Sequence, residues 1–423
     1  MGPRVPSGIA PKRASRNYGC AYAARVGLSE AEIAERSGCP VERIEELVGL
    51  GILVPHDEDG PFSAKDVHRV RLMQAFEDAG IDLDLIARGV TSGKLSYENL
   101  GLYLPEPAAL SVTPDELAAE LGRSPELIAR LLREFGVAQP EPDGRLREDE
   151  VATLRELLEV WAVADDDELA RLARVYGQNI LKVVASDLEL AGATIFARLR
   201  QEGYTDEEMR DVAGAVGLRL MNLGEQLMLW LRGRHLEHEI LSVTVQTTED
   251  YLQELGLAPR RTPSPPAIAF LDLTGYTALT EERGDEAGAD LADRLATLVH
   301  EAARPHGGNP VKWLGDGVMF HFDDPSAAVL TGLDLVEQTP AAVDVRARVG
   351  INAGTVIFRD GDYFGRTVNV ASRIADYARP GEVLVSGEVK ERFGGDGVRF
   401  DAIGPVALKG LREELTLFAA SRA

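Results

Sequence analysis

The chain has 423 residues, enough for two or three cored domains, and carries 69 acidic against 45 basic side chains, a formal net charge of −24. So acidic a surface is poorly suited to nucleic acid or anionic lipid over any broad face, and no apolar run approaches the roughly 20 residues that cross a bilayer. Two cysteines, Cys20 and Cys39, are too few for a disulfide framework and fit a reducing, cytoplasmic setting.

Residues 1–27 are basic and rich in Gly, Pro and Ser without a continuous apolar core, the composition of a disordered tail rather than a signal peptide. From Leu28 to about residue 257 the pattern is helical. Residues 28–98 offer a helix, a Ser37-Gly38-Cys39 turn, a second helix and then a Gly60-Pro61 segment in the place of a wing. "DELAAELGRSPELIARL", beginning at Asp115, aligns without gaps on "AEIAERSGCPVERIEEL", beginning at Ala31, which points to duplication of a small helical unit. The rest of 99–257 forms long helices and ends in an amphipathic stretch, "WLRGRHLEHEILSVTVQTTEDYLQEL". Pro259, Pro263 and Pro265 then mark 258–265 as a linker.

Beyond it, 266–423 changes character. The spacing predicts a buried strand over 267–273, a helix over 286–303, a hairpin over 310–322, a helix over 325–338 and a strand over 345–352. That order is β-α-β-β-α-β, a split βαβ sheet with helices on one face. A further helix near 366–378 and strands near 383–385, 398–402 and 415–419 extend it. The fold class is therefore α+β: an all-helical N-terminal half, winged-helix-like at its start, followed by a ferredoxin-like βαββαβ domain.

Several residues in this second half have types and positions suited to chemistry. "VKWLGDGVMF" (311–320) places Lys312 and Asp316 in an otherwise apolar run, with Asp316 at the exposed tip of an Asp-Gly hairpin turn. Asp272 ends the first strand in "FLDLTGYT". Two such carboxylates can share a hard cation whose shell substrate phosphates complete; the alternative is a pair of turn and cap residues. Asn369 and Arg373 stand at i and i+4 on one helix face, an amide and a guanidinium suited to phosphoryl oxygens or to capping a loop. Lys409 precedes a turn glycine in "VALKGLREELTLF", where lysines are usually solvated.

In this order, "AFLDLTGYT", "VKWLGDGVMF", "YFGRTVNVASR", "PGEVLVS" and "LKGL" resemble the catalytic domain of class III nucleotidyl cyclases over about 266–421. The resemblance implies Asp272 and Asp316 as metal carboxylates for two Mg²⁺ or Mn²⁺ per site. It implies Asn369 and Arg373 as transition-state residues, Lys409 on the triphosphate, and Lys312 with Asp362 on the purine edge. A carboxylate that accepts from adenine N6 and an ammonium that donates to N1 fit ATP, whereas members making cyclic GMP usually carry Glu and Cys there. The family builds its site between two catalytic domains. This chain holds both residue sets, so a homodimer with two sites is implied. The short "AGTVIFRDG" implies a reduced dimerisation arm and leaves the role of Arg359 open.

Residues 28–90 resemble a MerR-type winged-helix DNA reader. Their second helix carries Glu42, Glu45 and Glu46, and 28–98 hold 15 acidic against 7 basic side chains, so a protein-interaction or sensor module is expected rather than DNA binding. Residues 111–256 resemble the regulatory domain of soluble mycobacterial-type adenylyl cyclases, which implies a pH, lipid or small-molecule effector, with His235 and His238 as candidate sensors. The competing expectation is a transcriptional regulator whose cyclase-like domain binds nucleotide without turning it over.

Overall fold

The computed structural model describes residues 27–55, 61–97, 100, 104, 107–137, 144–259 and 264–423. The expected tail (residues 1–26 of it), residues 56–60 of the wing segment and residues 260–263 of the linker lie outside the described residues. The chain divides into two units after Leu241. Among the described residues no helix is long and apolar enough to cross a membrane.

The helical unit opens with α1 (Glu30–Ser37) and α2 (Val41–Gly49), followed by α3 (Ala64–Asp78) and α4 (Leu83–Thr91). Ser29 starts α1 with a reciprocal capping box to Glu32, and Gly38 ends it at φ 75°. The pattern recurs in α5 (Pro114–Leu121) and α6 (Pro125–Phe135), with the Thr113–Glu116 box and Gly122 at φ 63°. Ile33, Ala34, Ile44 and Leu47 are buried in the first copy; Leu117, Ala118, Ile128 and Leu131, their partners in the gapless alignment, are buried in the second. In each copy a short β-bridge precedes the next helix: Leu28 to Phe62 before α3, and Leu110 to Arg147 before α7 (Glu148–Val160). The expected duplication is thus a duplication of structure. There follow α8 (Asp166–Leu190), a π-helical stretch Ala191–Phe196, the short α9 (Ala197–Gln201) and the 49-residue α10 (Asp206–Glu254), whose residues from Ser242 on belong to the second unit.

The second unit holds β1 (Ala267–Thr274), α11 (Tyr276–Arg283), α12 (Asp285–Ala303), β2 (Asn309–Leu314), β3 (Gly317–Phe322), α13 (Pro325–Val343), β4 (Arg346–Ala353), β5 (Ile357–Arg359), β6 (Asp362–Phe364), α14 (Arg366–Tyr377), β7 (Val383–Ser386), α15 (Gly387–Arg392), β8 (Val398–Val406) and β9 (Leu415–Arg422). Seven strands form one sheet in the order β2-β3-β1-β4-β7-β9-β8, and its first four are antiparallel throughout, the expected split βαβ order. The pleat sorts side chains between two faces. Ala267, Ala269, Leu271 and Leu273 of β1 join Ala347, Val349 and Ile351 of β4 in the main core, against Leu295 and Val299 of α12 and Val329 and Leu333 of α13. Ile268 of β1 and Met319 of β3 point the other way, toward Ala371 of α14. The layer is therefore α-β-α, with α12 and α13 on one face and α14 on the other. Gly350 makes that second layer possible: a Cβ there would lie 2.0 Å from the backbone nitrogen of Ala375.

Candidate active site

All seven candidate residues belong to the α14 side of the sheet. In β1 the alternation that buries Leu271 and Leu273 in the main core turns Asp272 toward α14. In the β1–β3 register Asp272 lies opposite Gly317, the residue after Asp316, and an added Cβ at Gly317 would stand 3.7 Å from Asp272 Oδ1. Two carboxylates are thereby brought side by side by strand pairing alone.

The turn differs from its expected form. Leu314 pairs with Gly317, so the two turn residues are Gly315 and Asp316, and Gly315, at φ 68°, takes the left-handed position. Asp316 is half-buried rather than exposed, as expected from the hairpin alone, and desolvation, with the Asp272 charge beside it, pushes its carboxyl above the usual aspartate range.

A β-bulge at Val311 resets β2 so that Lys312 pairs with Met319, whose side chain is on the α14 face. From there Lys312 Nζ donates to Asp362 Oδ2 at 2.8 Å, and the Tyr363 backbone N–H fixes the other carboxylate oxygen at 2.9 Å. Tyr363 stacks on His321 of β3, centroids 4.2 Å apart. The short β5–β6 hairpin that presents Asp362 is thus clamped to the sheet by an ion pair and a ring stack.

On α14, Thr367, Val370, Ala371, Ile374 and Ala375 are buried, leaving Arg366, Asn369, Arg373 and Asp376 as an exposed stripe at helical spacing. Arg373 Nη1 donates to Asp376 Oδ2 at 2.7 Å. Lys409 is exposed between buried Leu408 and half-buried Leu411, which pack with Val370 and Ile374, so its loop rests on the same helix. Among the described residues no hydrogen bond or ion pair joins Asn369, Arg373 or Lys409 directly to Asp272 or Asp316. One chain therefore displays a carboxylate pair and an amide–guanidinium pair without closing them on each other.

Sequence reasoning missed Arg348. It lies opposite Asp272 in the β1–β4 register, and its Nε and Nη2 both donate to Asp272 Oδ2, at 2.8 and 2.5 Å. The signal is present in "VRARVGIN": Arg348, Gly350 and Asn352 alternate with buried Ala347, Val349 and Ile351, which assigns them to one face.

The donor set fits a divalent cation. Asp272 Oδ1 remains turned to the Gly317 turn, Asp316 carries a partly desolvated carboxyl beside the Asp272 charge, and both are hard oxygen donors. Among the described residues no cluster of three or more His, Cys, Asp or Glu stands ready to enclose an ion. A cation held there would have to draw its other ligands from water or a bound anion, as Mg²⁺ commonly does.

The chain is similar to known cyclases. Residues 262–421 match the model for the adenylate and guanylate cyclase catalytic domain. A pH-sensitive adenylate cyclase of Mycobacterium tuberculosis is 29% identical over 361 residues, covering 80% of this chain and 86% of its own. An adenylate cyclase of Streptomyces coelicolor is 32% identical over 278 residues, 64% of this chain and 69% of its own. Among solved structures, the adenylyl cyclase CyaB from P. aeruginosa covers 38% of this chain and 95% of its own at 27% identity, with a TM-score of 0.35.

Proposed function

The chain belongs to the adenylate and guanylate cyclase family, and from that membership we propose how its residues convert ATP to 3′,5′-cyclic AMP and pyrophosphate. The observation that carries this reading is the gathering of both carboxylates, the Lys312–Asp362 pair and the α14 stripe on one side of the sheet. Asp362 accepts from adenine N6 and Lys312 donates to N1, so the pair that holds itself together here opens to read the base. Asn369 and Arg373 stabilise charge on the α-phosphate as the ribose 3′-oxygen attacks and pyrophosphate departs, and Lys409 holds the departing phosphates. Family members are generally divalent-metal dependent. Asp272 and Asp316 would hold two Mg²⁺ or Mn²⁺ ions, which lower the pKa of the attacking hydroxyl and neutralise the triphosphate.

The two halves of the machinery meet in a homodimer, with the carboxylates from one chain and Lys312, Asp362, Asn369 and Arg373 from the other. Trp313, Leu314, Ile357, Phe358 and Phe364 support this reading: all are exposed in the single chain and surround the Lys312–Asp362 pair in sequence. The exposed apolar β5–β6 hairpin is the natural arm for such a contact. Localisation is cytoplasmic on this reading.

Base selection gives a sharp test. Lys312→Glu with Asp362→Cys is expected to lower kcat/KM for ATP by about 100-fold or more, because a site built to bond one edge leaves polar groups unpaired against another. GTP turnover is expected to appear. ATP preference surviving in the double variant removes this pair from base reading.

The transcriptional-regulator alternative is disfavoured by α2, whose Arg43 is consumed by ion pairs to Glu46 and Glu77 and is not free for phosphate. We read the helical half as a sensor or protein-interaction module that controls the cyclase. The 361 residues shared with the pH-sensitive mycobacterial enzyme exceed the cyclase domain and so include part of that half. His235 and His238 stand exposed on α10 beside the Arg234–Glu237 pair. Activity of the full chain is expected to rise as pH falls from about 8 to about 5, and His235→Gln/His238→Gln to flatten that rise. A double variant that retains the wild-type profile excludes these two as the sensor.

A further inference from the structure

Arg348 has no part in the chemistry assigned above, yet it stands between two residues that do. Its guanidinium faces two ways. Nε and Nη2 turn toward β1 and grip Asp272 Oδ2, while Nη1 turns toward α14 and donates to the Asp376 carbonyl at 3.0 Å. Asp376 is also the residue whose carboxylate accepts from Arg373. A single side chain therefore spans from the strand that carries a metal carboxylate to the helix that carries the transition-state arginine. The span is short because Gly350, two residues along β4, lets the backbone of α14 approach at Ala375.

We propose that Arg348 is a positioning residue serving both active sites of the dimer: it sets the Asp272 carboxylate for one site and, through Asp376, the last turn of α14 and Arg373 for the other. The second half of this proposal rests on the shared-site reading above. With Oδ2 taken by two charge-assisted donors, Asp272 presents Oδ1 to the Gly317 turn, and rotation of the carboxylate would break both bonds. The positive group at the C-terminus of α14 also complements the helix dipole. The Arg373–Asp376 pair is largely exposed, at 44% and 54% of the two side chains, so its value is orientation rather than binding strength.

A mere counter-charge is a different role, and lysine separates the two. Lysine keeps the charge but has no rigid fork with which to hold strand and helix together. Mn²⁺ is titrated calorimetrically into the full chain in the presence of a non-cyclising ATP analogue. Arg348→Lys is expected to weaken Mn²⁺ binding about 10- to 100-fold, the usual cost of losing a group that orients a metal ligand. Wild-type affinity in R348K overturns the first half. For the second half, R348K chains are mixed with either of two inactive partners. With Asp316→Ala chains, the working site uses the carboxylates of the R348K chain, and its half-saturating Mn²⁺ concentration is expected to rise. With Arg373→Ala chains, the working site uses the α14 of the R348K chain, and kcat is expected to fall with half-saturation unchanged. Full kcat in that second mixture overturns the two-site role. The control is a mixture of Asp316→Ala with Arg373→Ala. If it stays inactive the shared-site reading is wrong and the two-site role falls with it, while the calorimetric titration still decides the role at Asp272.

Discussion

Asp316→Asn is expected to abolish cyclase turnover, by about a thousandfold or more given the several kcal/mol that a metal site supplies to phosphoryl chemistry, and at the same time to make the metal-free protein more stable. The two effects have one cause. Strand register forces the Asp316 carboxylate next to Asp272 at a half-buried turn, and desolvation with like charge raises its pKa above the ordinary aspartate value. A carboxyl whose folded-state pKa is raised binds more protons folded than unfolded, so stability declines as pH climbs from the unfolded pKa, about 4, through the folded one. Above that window the charged Asp316 is a constant cost to the fold, which a bound divalent cation repays.

Asparagine removes the charge and keeps the shape. In EDTA near neutral pH the variant is expected to melt above wild type, and the gap to close as pH falls below the usual aspartate range. Added Mn²⁺ is expected to stabilise wild type and not the variant. A variant that turns over near the wild-type rate removes Asp316 from the metal site. A variant that melts at the wild-type temperature in EDTA at neutral pH removes the electrostatic account of why a cation belongs there.

Much of this site is legible in the chain because strands declare themselves by alternation. Asp272 alternates with Leu271 and Leu273, so its face follows from three consecutive residues. The stripe of α14 is equally legible: Asn369 and Arg373 fall at helical spacing on the face opposite the buried Val370, Ala371, Ile374 and Ala375. What is not legible depends on register or on distant packing. That Arg348 meets Asp272 requires knowing that β4 lies beside β1 and in which frame, and alternation supplies the face but not the neighbour. The partial burial of Asp316 is a second such case, because it depends on β3 lying beside β1, where Gly317 pairs with Asp272, and a hairpin sequence read alone does not contain that neighbour. The β5–β6 hairpin does carry a sequence signal: Asp360-Gly361, flanked by Ile357-Phe358 and Tyr363-Phe364, has the composition of a tight hairpin turn, and both of its residues adopt positive φ. The π-helical stretch at Ala191–Phe196 carries no sequence mark that distinguishes it from the helix on either side.

Asp316→Ala and Arg373→Ala proteins, each inactive alone, are expected to regain activity when mixed. Either change removes one half of the machinery from a chain that in isolation does not close its two halves on each other. Each homodimer then holds two broken sites, with turnover reduced about a thousandfold or more, the scale on which an arginine stabilises phosphoryl transfer. A mixed dimer collects both lesions in one site and leaves the other whole. With random exchange between two-fold dimers, about a quarter of wild-type activity returns. Asp316 is the better carboxylate to remove, because Asp272→Ala would leave the Arg348 guanidinium without its principal partner and disturb α14 as well. Recovery must depend on chain exchange: covalently crosslinked homodimers, mixed after crosslinking, stay inactive if the site is shared. If heterodimers form, as judged by co-purification of differently tagged chains, and the mixture remains inactive, then each chain must assemble its site from its own residues. The exposed gap between the Asp272–Asp316 pair and the Asn369–Arg373 face would then have to close within one chain.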